Sequence, residues 1–255
     1  ADAFSNRGFA RFRLKDDRGA IADFNRAIQI NPQHVTALTN RGGARFVLRD
    51  IQGAFADLDK AIEINPMHED AYNNRGFIKS ELDDDEAAIV DFNRAIEINP
   101  RYAIAYFHRG NSWLKLKDAP AALSDYSTAI EINPRYEDAY GNRGSVRFQL
   151  RDAEGAIADY DKAIEIDSSD ASNYNNRGIA KYELKKDFRG AIADFDKAIN
   201  INPNDFNGYS YRATVRHALG DLNGACMDMK KAASLGSQDM VQWLMSASGA
   251  WCRNI

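Results

Sequence analysis

The sequence predicts an all-α fold, a solenoid in which helix–turn–helix repeats stack one on the next. The first observation is self-similarity at a fixed period: an arginine recurs every 34 residues from Arg7 to Arg177, and then after 35 residues at Arg212. The second is that each period holds two groups of apolar residues at helical spacing. Because a repeat of this size cannot bury its apolar faces alone, the repeats must stack.

The first helix of each repeat is predicted from repeat positions 4, 8 and 12, which share one helical face. In the first repeat these positions hold Phe4, Gly8 and Phe12. The second helix has a broader apolar face. Its members in the first repeat are Ala20, Ile21, Phe24, Ala27, Ile28 and Ile30.

Aspartate at position 16 predicts where the second helix begins, because an aspartate N-cap accepts hydrogen bonds from free N–H groups. It recurs at Asp16, Asp50, Asp84, Asp118, Asp152, Asp187 and Asp221. Proline predicts where that helix ends, since it cannot continue a helix and disfavours helical geometry before it. It closes five repeats, at Pro32, Pro66, Pro100, Pro134 and Pro203. The longer sixth period indicates one inserted residue near Lys185 and Lys186.

These signals predict a single solenoid domain over residues 1–255. The repeats are expected at 1–34, 35–68, 69–102, 103–136, 137–170, 171–205 and 206–236. A capping helix and tail at 237–255 would cover the apolar end of the last repeat.

The composition limits the possible partners. The chain of 255 residues is 44% hydrophobic with a formal net charge of −4, which argues against a nucleic-acid or anionic-membrane surface. No apolar run approaches the ~20 residues of a membrane span, and no signal-peptide pattern stands at the N-terminus, where a processing boundary would hide any targeting segment. We therefore expect a soluble chain of the cytoplasm or the periplasm. Cys226 and Cys252 match neither a metal site nor a disulfide framework and say little about compartment.

In these markers the chain resembles the tetratricopeptide repeat family over about residues 1–236. The shared markers are an aromatic residue or Leu at position 4, Gly at 8, Ala at 20 and 27, an aromatic residue, Leu or Met at 24, and Pro at 32. The resemblance implies a right-handed superhelix whose first helices line a concave groove, and it implies no single partner. The chain departs from the family at position 7, where Arg replaces an apolar residue, and by carrying Asp at position 23 throughout.

The arginine at position 7 and the aspartate at position 23 predict a structural ladder of ion pairs, because the planar guanidinium fork matches a carboxylate. The expected pairs are Arg7–Asp23, Arg41–Asp57, Arg75–Asp91, Arg109–Asp125, Arg143–Asp159, Arg177–Asp194 and Arg212–Asp228. The alternative is a basic stripe for a phosphate or an acidic ligand. The matching aspartates favour the structural interpretation.

An asparagine precedes this arginine in five repeats, at position 6. The row consists of Asn6, Asn40, Asn74, Asn142 and Asn176. The resemblance places position 6 on the groove, and an Asn side chain offers both a donor and an acceptor to the backbone of an extended peptide. The alternative is that Asn is simply tolerated on a solvated helix face. Positions 2, 5, 6 and 9 hold no Lys or Arg, which disfavours the carboxylate clamp of some family members.

The fourth repeat departs from the pattern of the others, and such departures are enriched in functional sites. Aromatic anchors are typical hot spots, so we predict a side-chain pocket there, with Phe77 of the third repeat in the peptide-binding set. The fourth repeat contributes Ile104, Phe107, His108, Asn111 and Trp113, with Tyr102 and Tyr136 in the flanking turns. The alternative is sequence drift.

The C-terminal segment predicts a helix from about Ser237 that caps the last repeat. Its packing face is expected to hold Met240, Trp243, Leu244 and Ala247. Val241, Met245 and Trp251 would leave apolar surface over, for another copy of the chain or for a partner.

The function predicted is a protein-interaction scaffold that binds an extended peptide through the Asn row. The alternative is a structural protein that associates with itself through the apolar C-terminal helix. No phosphate loop, nucleophile elbow or metal-ligand spacing is present in the sequence, so we expect no catalytic residue, no metal and no cofactor. The style of the repeat favours a bacterial source, and nucleic acid is not an expected partner.

Overall fold

The computed structural model describes residues 1–246 and 248–253, and within them it contains helices and no strand. The chain divides into two compact units, Ala1–Asn133 and Pro134–Ile255. The all-α fold predicted from the sequence is therefore confirmed. The repeat bounds and the single domain stay predictions.

The N-terminal unit contains eight helices that pack consecutively. They are α1 (Asp2–Arg13), α2 (Asp17–Ile30), α3 (Val35–Val47), α4 (Ile51–Ile64), α5 (Glu69–Glu81), α6 (Asp85–Ile98), α7 (Ala103–Lys115) and α8 (Ala119–Ile132). The odd-numbered helices carry repeat positions 1–13, with α1 beginning at position 2, and the even-numbered helices carry positions 17–30.

The C-terminal unit continues the same alternation. It contains α9 (Glu137–Gln149), α10 (Ala153–Ile166), α11 (Ala171–Ala180), α12 (Phe188–Ile201), α13 (Phe206–Ala218), α14 (Leu222–Ser234), α15 (Gln238–Met245) and α16 (Ala250–Arg253). Within the residues described, no helix of either unit is both long and apolar enough to span a bilayer.

The predicted helix starts and stops are confirmed. Asp16 accepts a hydrogen bond from the Gly19 N–H at 3.0 Å, and the other six position-16 aspartates cap their helices in the same way. At the other end, α2 stops at Ile30, and Asn31 is already extended before Pro32. Both signals act between chain neighbours, which is why the sequence alone could place them.

The turn between the two helices of a repeat is left-handed at position 15, which the sequence analysis did not anticipate. Six non-glycine residues have a positive φ there, between 56° and 65°. They are Lys15, Arg49, Asp83, Lys117, Arg151 and Lys186, and Gly220 takes this position in the last repeat. The inserted residue of the sixth repeat is absorbed as a π-helical turn over Lys181–Lys185, directly before Lys186.

In each repeat, buried alanines pack around a large side chain at position 24. In the N-terminal unit, Phe24, Leu58 and Phe92 are fully buried. The glycine at position 8 of the first six repeats packs against this side chain: a Cβ at Gly76 would lie 2.8 Å from the Phe92 ring. A larger residue at position 8 would therefore push the two helices of a repeat apart.

The last repeat is covered by the C-terminal helices, and Ser237 caps α15 as expected. Met240, Trp243 and Leu244 pack against buried Ala213, Ala225 and Met229, while Ala247 lies outside the described residues. Trp251 joins the same cluster, with its ring centroid 5.8 Å from that of Trp243, so the expectation that it is surplus apolar surface is wrong.

A disulfide joins Cys226 of α14 to Cys252 of α16, with a Cα–Cα distance of 5.3 Å. The sequence indicated no role for these cysteines, because 26 residues separate them and only the fold brings them together. Both are buried, so the bond holds the C-terminal segment on the last repeat.

Candidate functional site

The arginines at position 7 form ion pairs with aspartates of the same chain. Each donates from Nε at 2.8–3.0 Å and from Nη2 at 2.5–2.7 Å to the two carboxylate oxygens of the aspartate at position 23 of its own repeat. The structure thus brings together all seven pairs of the ladder. The aspartates are only 2–4% exposed.

The charged state of the ladder follows from these bonds. Hydrogen bonds from Arg7 hold the pKa of Asp23 below its usual range, although burial opposes the shift. The hydrogen bond to Asp91 raises the pKa of Arg75. The carboxylate of Asp23 and the guanidinium of Arg75 therefore stay ionised at neutral pH.

The same arginines also reach the preceding repeat, which the sequence analysis missed. Nη1 donates to the residue at position 25 of the repeat before: Arg41 to Asn25 at 2.6 Å, and Arg75 to Asp59 at 2.7 Å. In the C-terminal unit, Arg177 reaches Asp161 at 2.6 Å in the same manner. A recurring Asn or Asp at position 25 was the signal that could have revealed this contact.

A second cation at position 11 pairs with most of the buried aspartates. Arg11 donates to Asp23 at 2.9 Å, and Lys79 lies 2.7 Å from Asp91. The fourth repeat has Trp113 at this position, so Asp125 pairs with Arg109 alone among the described residues. This makes the fourth repeat a natural variant of the ladder.

The asparagines at position 6 differ from the neighbouring arginines in their hydrogen bonding. Asn6 is exposed, whereas Asn40, Asn74, Asn142 and Asn176 are half-buried. Of these, the side chains of Asn6, Asn40, Asn74 and Asn176 make no hydrogen bond to any described residue. Their amides are thus open to a ligand, while the neighbouring arginines are not.

Two cavities open beside this row in the N-terminal unit. One, of about 250 Å³, is polar and is lined by Ser5, Asn6, Phe9, Thr36, Asn40 and Asp70. The other, of about 180 Å³, is apolar and is lined by Phe12, Gly43, Phe46, Val47, Asn74, Phe77 and Ile78. A Cβ at Gly43 would meet no atom within 4 Å, so this glycine leaves the apolar cavity open.

The C-terminal unit repeats this arrangement. A polar cavity of about 190 Å³ is lined by Ser172, Asn175, Asn176, Asp205, Asn207 and Tyr211. An aromatic cavity of about 210 Å³ is lined by Tyr182, Thr214, His217, Ala218, Met229 and Trp243. In the four cavities the charged residues are carboxylates, Asp70 and Asp205, and none is lined by Lys or Arg.

Aromatic side chains predicted for the pocket of the fourth repeat pack against one another. The ring of His108 lies 5.1 Å from that of Phe77 and 5.7 Å from that of Phe107, and its Nδ1 is 3.1 Å from Oδ1 of Asn73. Burial lowers the pKa of His108 to about 4, so its ring is neutral at pH 7. None of the four cavities is lined by residues 103–136.

Two further members of the predicted set also have internal roles. Asn111 accepts a hydrogen bond from the Tyr126 hydroxyl at 2.7 Å. Tyr102 donates its hydroxyl hydrogen to Asp70. Phe77 both joins the cluster and lines the apolar cavity of the N-terminal unit.

Comparison with known families identifies the repeat. Models described as "Tetratricopeptide repeat" match residues 1–34, 69–102, 86–137 and 171–205, and one described as "TPR repeat" matches residues 144–185. The chain belongs to the tetratricopeptide repeat family. No match was found among curated proteins.

Solved tetratricopeptide repeat structures share the fold. A tetratricopeptide repeat protein from Parabacteroides merdae is 20% identical, with 96% of this chain and 98% of that chain covered and a TM-score of 0.66. PilF of Pseudomonas aeruginosa is 16% identical, with 84% of this chain and 96% of that chain covered and a TM-score of 0.74. YrrB, described as a TPR protein with an unusual peptide-binding site, is 23% identical over 72% of this chain and 95% of that chain, with a TM-score of 0.58. These likenesses confirm the helical-repeat solenoid.

Proposed function

We propose that this tetratricopeptide repeat protein is an interaction scaffold that binds an extended segment of a partner protein along its Asn row. The observation that carries the proposal is that the amides of Asn6, Asn40, Asn74 and Asn176 have no partner within the described residues. An amide held at the same position of successive repeats can donate to and accept from a peptide backbone.

The cavities support a role in side-chain recognition. Asn6 and Asn40 line the polar cavity of the N-terminal unit, and Asn74 lines the apolar cavity with Phe46 and Phe77. A peptide whose backbone is bound by the Asn row could place side chains in both of these cavities. The description of YrrB as a protein with a peptide-binding site lends support by analogy of fold.

The arginines do not compete for this role, because the ladder occupies them. Each guanidinium is bound to a buried aspartate, so the row presents neutral amides rather than a basic stripe. This favours recognition of a peptide backbone over recognition of phosphate.

The test is selection of a displayed random-peptide library on the wild-type chain and on a variant with Asn6, Asn40 and Asn74 changed to Ala. At about 1 kcal/mol for each hydrogen bond, losing three amides should weaken the selected peptides about 100-fold. A control with Asn200, Asn204 and Asn223 changed to Ala removes three exposed amides elsewhere and should bind as wild type does. Equal selection by both variants and the wild type would refute the proposal.

The C-terminal helices give little support to the alternative that the chain associates with itself. Met240, Trp243, Leu244 and Trp251 pack on the last repeat, which leaves Met245 exposed. Capping accounts for Trp251, one of the three residues that had suggested a second interface, and self-association stays a prediction.

The disulfide bears on the compartment. Disulfides persist in oxidising compartments and are rare in the cytoplasm. We therefore favour the periplasm over the cytoplasm, on the strength of the bond between Cys226 and Cys252.

A further inference from the structure

The polar cavity of the C-terminal unit contains an unusual set of acceptors. All six of its lining residues, Ser172, Asn175, Asn176, Asp205, Asn207 and Tyr211, are polar, and Asp205 carries the only charge among them. A cavity of about 190 Å³ with this lining is large enough for the end of one polar side chain.

Asn175 contributes a buried oxygen without a partner. The residue is 5% exposed, and its Oδ1 accepts no hydrogen bond from the described residues. Its Nδ2 lies 3.4 Å from Oδ2 of Asp205, which sets the orientation of the amide, since a flip would turn Oδ1 towards the carboxylate. Buried acceptors are almost always satisfied, so this oxygen points to a donor that comes from outside the chain.

Asp205 contributes a carboxylate without a cation. Its Oδ1 accepts bonds from the backbone N–H of Asn207 at 3.0 Å and from Nδ2 of the same residue at 2.8 Å. Its Oδ2 accepts only the long bond from Asn175. Within residues 1–246 and 248–253 no Lys, Arg or His pairs with it, in contrast to Asp194, which pairs with both Arg177 and Lys181.

We propose that this cavity binds the cationic end of a Lys or Arg side chain, an ammonium or a guanidinium, carried by the bound peptide. The inference rests on the proposed peptide-binding function and adds the ligand class. An ammonium has three donors and no acceptor, which suits Oδ1 of Asn175, Oδ2 of Asp205 and a hydroxyl oxygen of Ser172 or Tyr211. A single carboxylate matches the single charge of such a group. A divalent metal would want more acidic ligands, and no cluster of three His, Cys, Asp or Glu occurs in the described residues.

The first experiment uses small probes that need no peptide. n-Butylammonium and methylguanidinium chloride are titrated into the ¹⁵N-labelled full chain, with n-butanol as the neutral control at matched ionic strength. The side-chain amide signals of Asn175 and Asn207 should shift along a saturable curve with a cation and stay in place with the alcohol. The absence of a saturable shift with both cations would overturn the proposal.

Two variants make the result specific. Asp205→Asn keeps the N-cap of α13, because Asn caps as well as Asp, but removes the charge, and it should weaken cation binding at least about tenfold. Asp221→Asn makes the same change at the N-cap of α14 and should leave the titration unchanged. Equal binding by the Asp205→Asn variant and the wild type would overturn the proposal.

A third variant tests the unpaired oxygen. Asn175→Leu should weaken cation binding, while its thermal midpoint should equal or exceed that of the wild type, because an unsatisfied buried group has been removed. Should this variant fail to fold, the Asp205→Asn titration still decides.

Library selection then separates this inference from the proposed function. Peptides selected on the wild type should carry a Lys or Arg whose enrichment is lost on Asp205→Asn. Enriched peptides that lack this preference would overturn the cation site and leave peptide binding intact. An absence of enriched peptides would count against the proposed function, while the butylammonium titration would still decide the cation site by itself.

Discussion

Truncating Arg109 should destabilise the protein more than the same change at any other rung of the ladder in the N-terminal unit. Among the described residues Arg109 is the one cation paired with Asp125, which is 4% exposed, because Trp113 occupies the position that supplies a second cation elsewhere. At the preceding rung, Lys79 stays 2.7 Å from Asp91 when Arg75 is removed.

The expected magnitude follows from the charge left behind. Arg109→Ala removes bonds of 2.8 and 2.6 Å to Asp125 and one of 2.5 Å to Asn93, and strands a buried carboxylate. Removing one partner of a buried pair costs about 3–5 kcal/mol of unfolding free energy. Arg75→Ala should cost about 1.5–3 kcal/mol, the loss of charged hydrogen bonds without an isolated charge.

The assay is urea unfolding followed by the fluorescence of Trp113, the only tryptophan in residues 1–133. A local probe is needed because repeat chains of this kind need not unfold in one step. Asp125→Asn in the Arg109→Ala background removes the stranded charge and should recover about 2 kcal/mol. Equal costs at the two rungs, or no rescue by Asp125→Asn, would refute the reasoning.

Three other predictions concern pH, the turns and the disulfide. Burial lowers the pKa of His108 to about 4, whereas its value in the unfolded chain is near 6.5, so the unfolded chain takes up the proton first as the pH falls. The free energy of unfolding should therefore fall by about 2–3 kcal/mol between pH 6.5 and pH 4. Urea titrations of His108→Gln should lack this part of the dependence of the unfolding free energy on pH. Arg151→Gly should raise the free energy of unfolding by about 0.5–1 kcal/mol, because it relieves a left-handed φ of 65°, and Gly220→Lys should lower it by about 1 kcal/mol in the same urea assay. Reduction of the bond between Cys226 and Cys252 should cost the C-terminal unit about 3 kcal/mol in chain entropy. Alkylation of the unfolded, unreduced protein isolated from its source should find no free thiol, and two free thiols would contradict the proposed periplasmic location.

Much of the fold was predictable because its signals are local and repeated. The aspartate at position 16 caps a helix through an N–H group three residues away, and a proline ends one through its immediate neighbour. The turn at position 15 was missed for the opposite reason. Lysine and arginine, which occupy five of the six non-glycine positions, do not ordinarily indicate a left-handed residue, and it is the geometry of two packed helices that holds them there.

The candidate site was predictable only in outline. The Asn row was predicted because asparagine recurs at position 6. Its open amides agree with a peptide-binding role but do not test it. The pocket predicted around His108 stays a prediction, because the sequence shows an unusual group of aromatic residues but not that the ring of His108 packs against those of Phe77 and Phe107. The cavities depend instead on what is missing at a position, such as the side chain of Gly43.

The sequence by itself determined the helical repeat, its period, the helix ends and the pairing of each arginine with an aspartate, since all of these follow from residues that recur at fixed spacing. Only the tertiary structure decided which lone pairs and donors remain unused. It showed that Arg75 also binds Asp59 of the preceding repeat, that Cys226 is bonded to Cys252, and that Oδ1 of Asn175, whose amide nitrogen contacts Asp205, has no hydrogen-bond partner within the described residues. The physical reason is that hydrogen-bond satisfaction is a property of a whole neighbourhood, assembled from residues about 16 to 30 positions apart, and no local pattern records it.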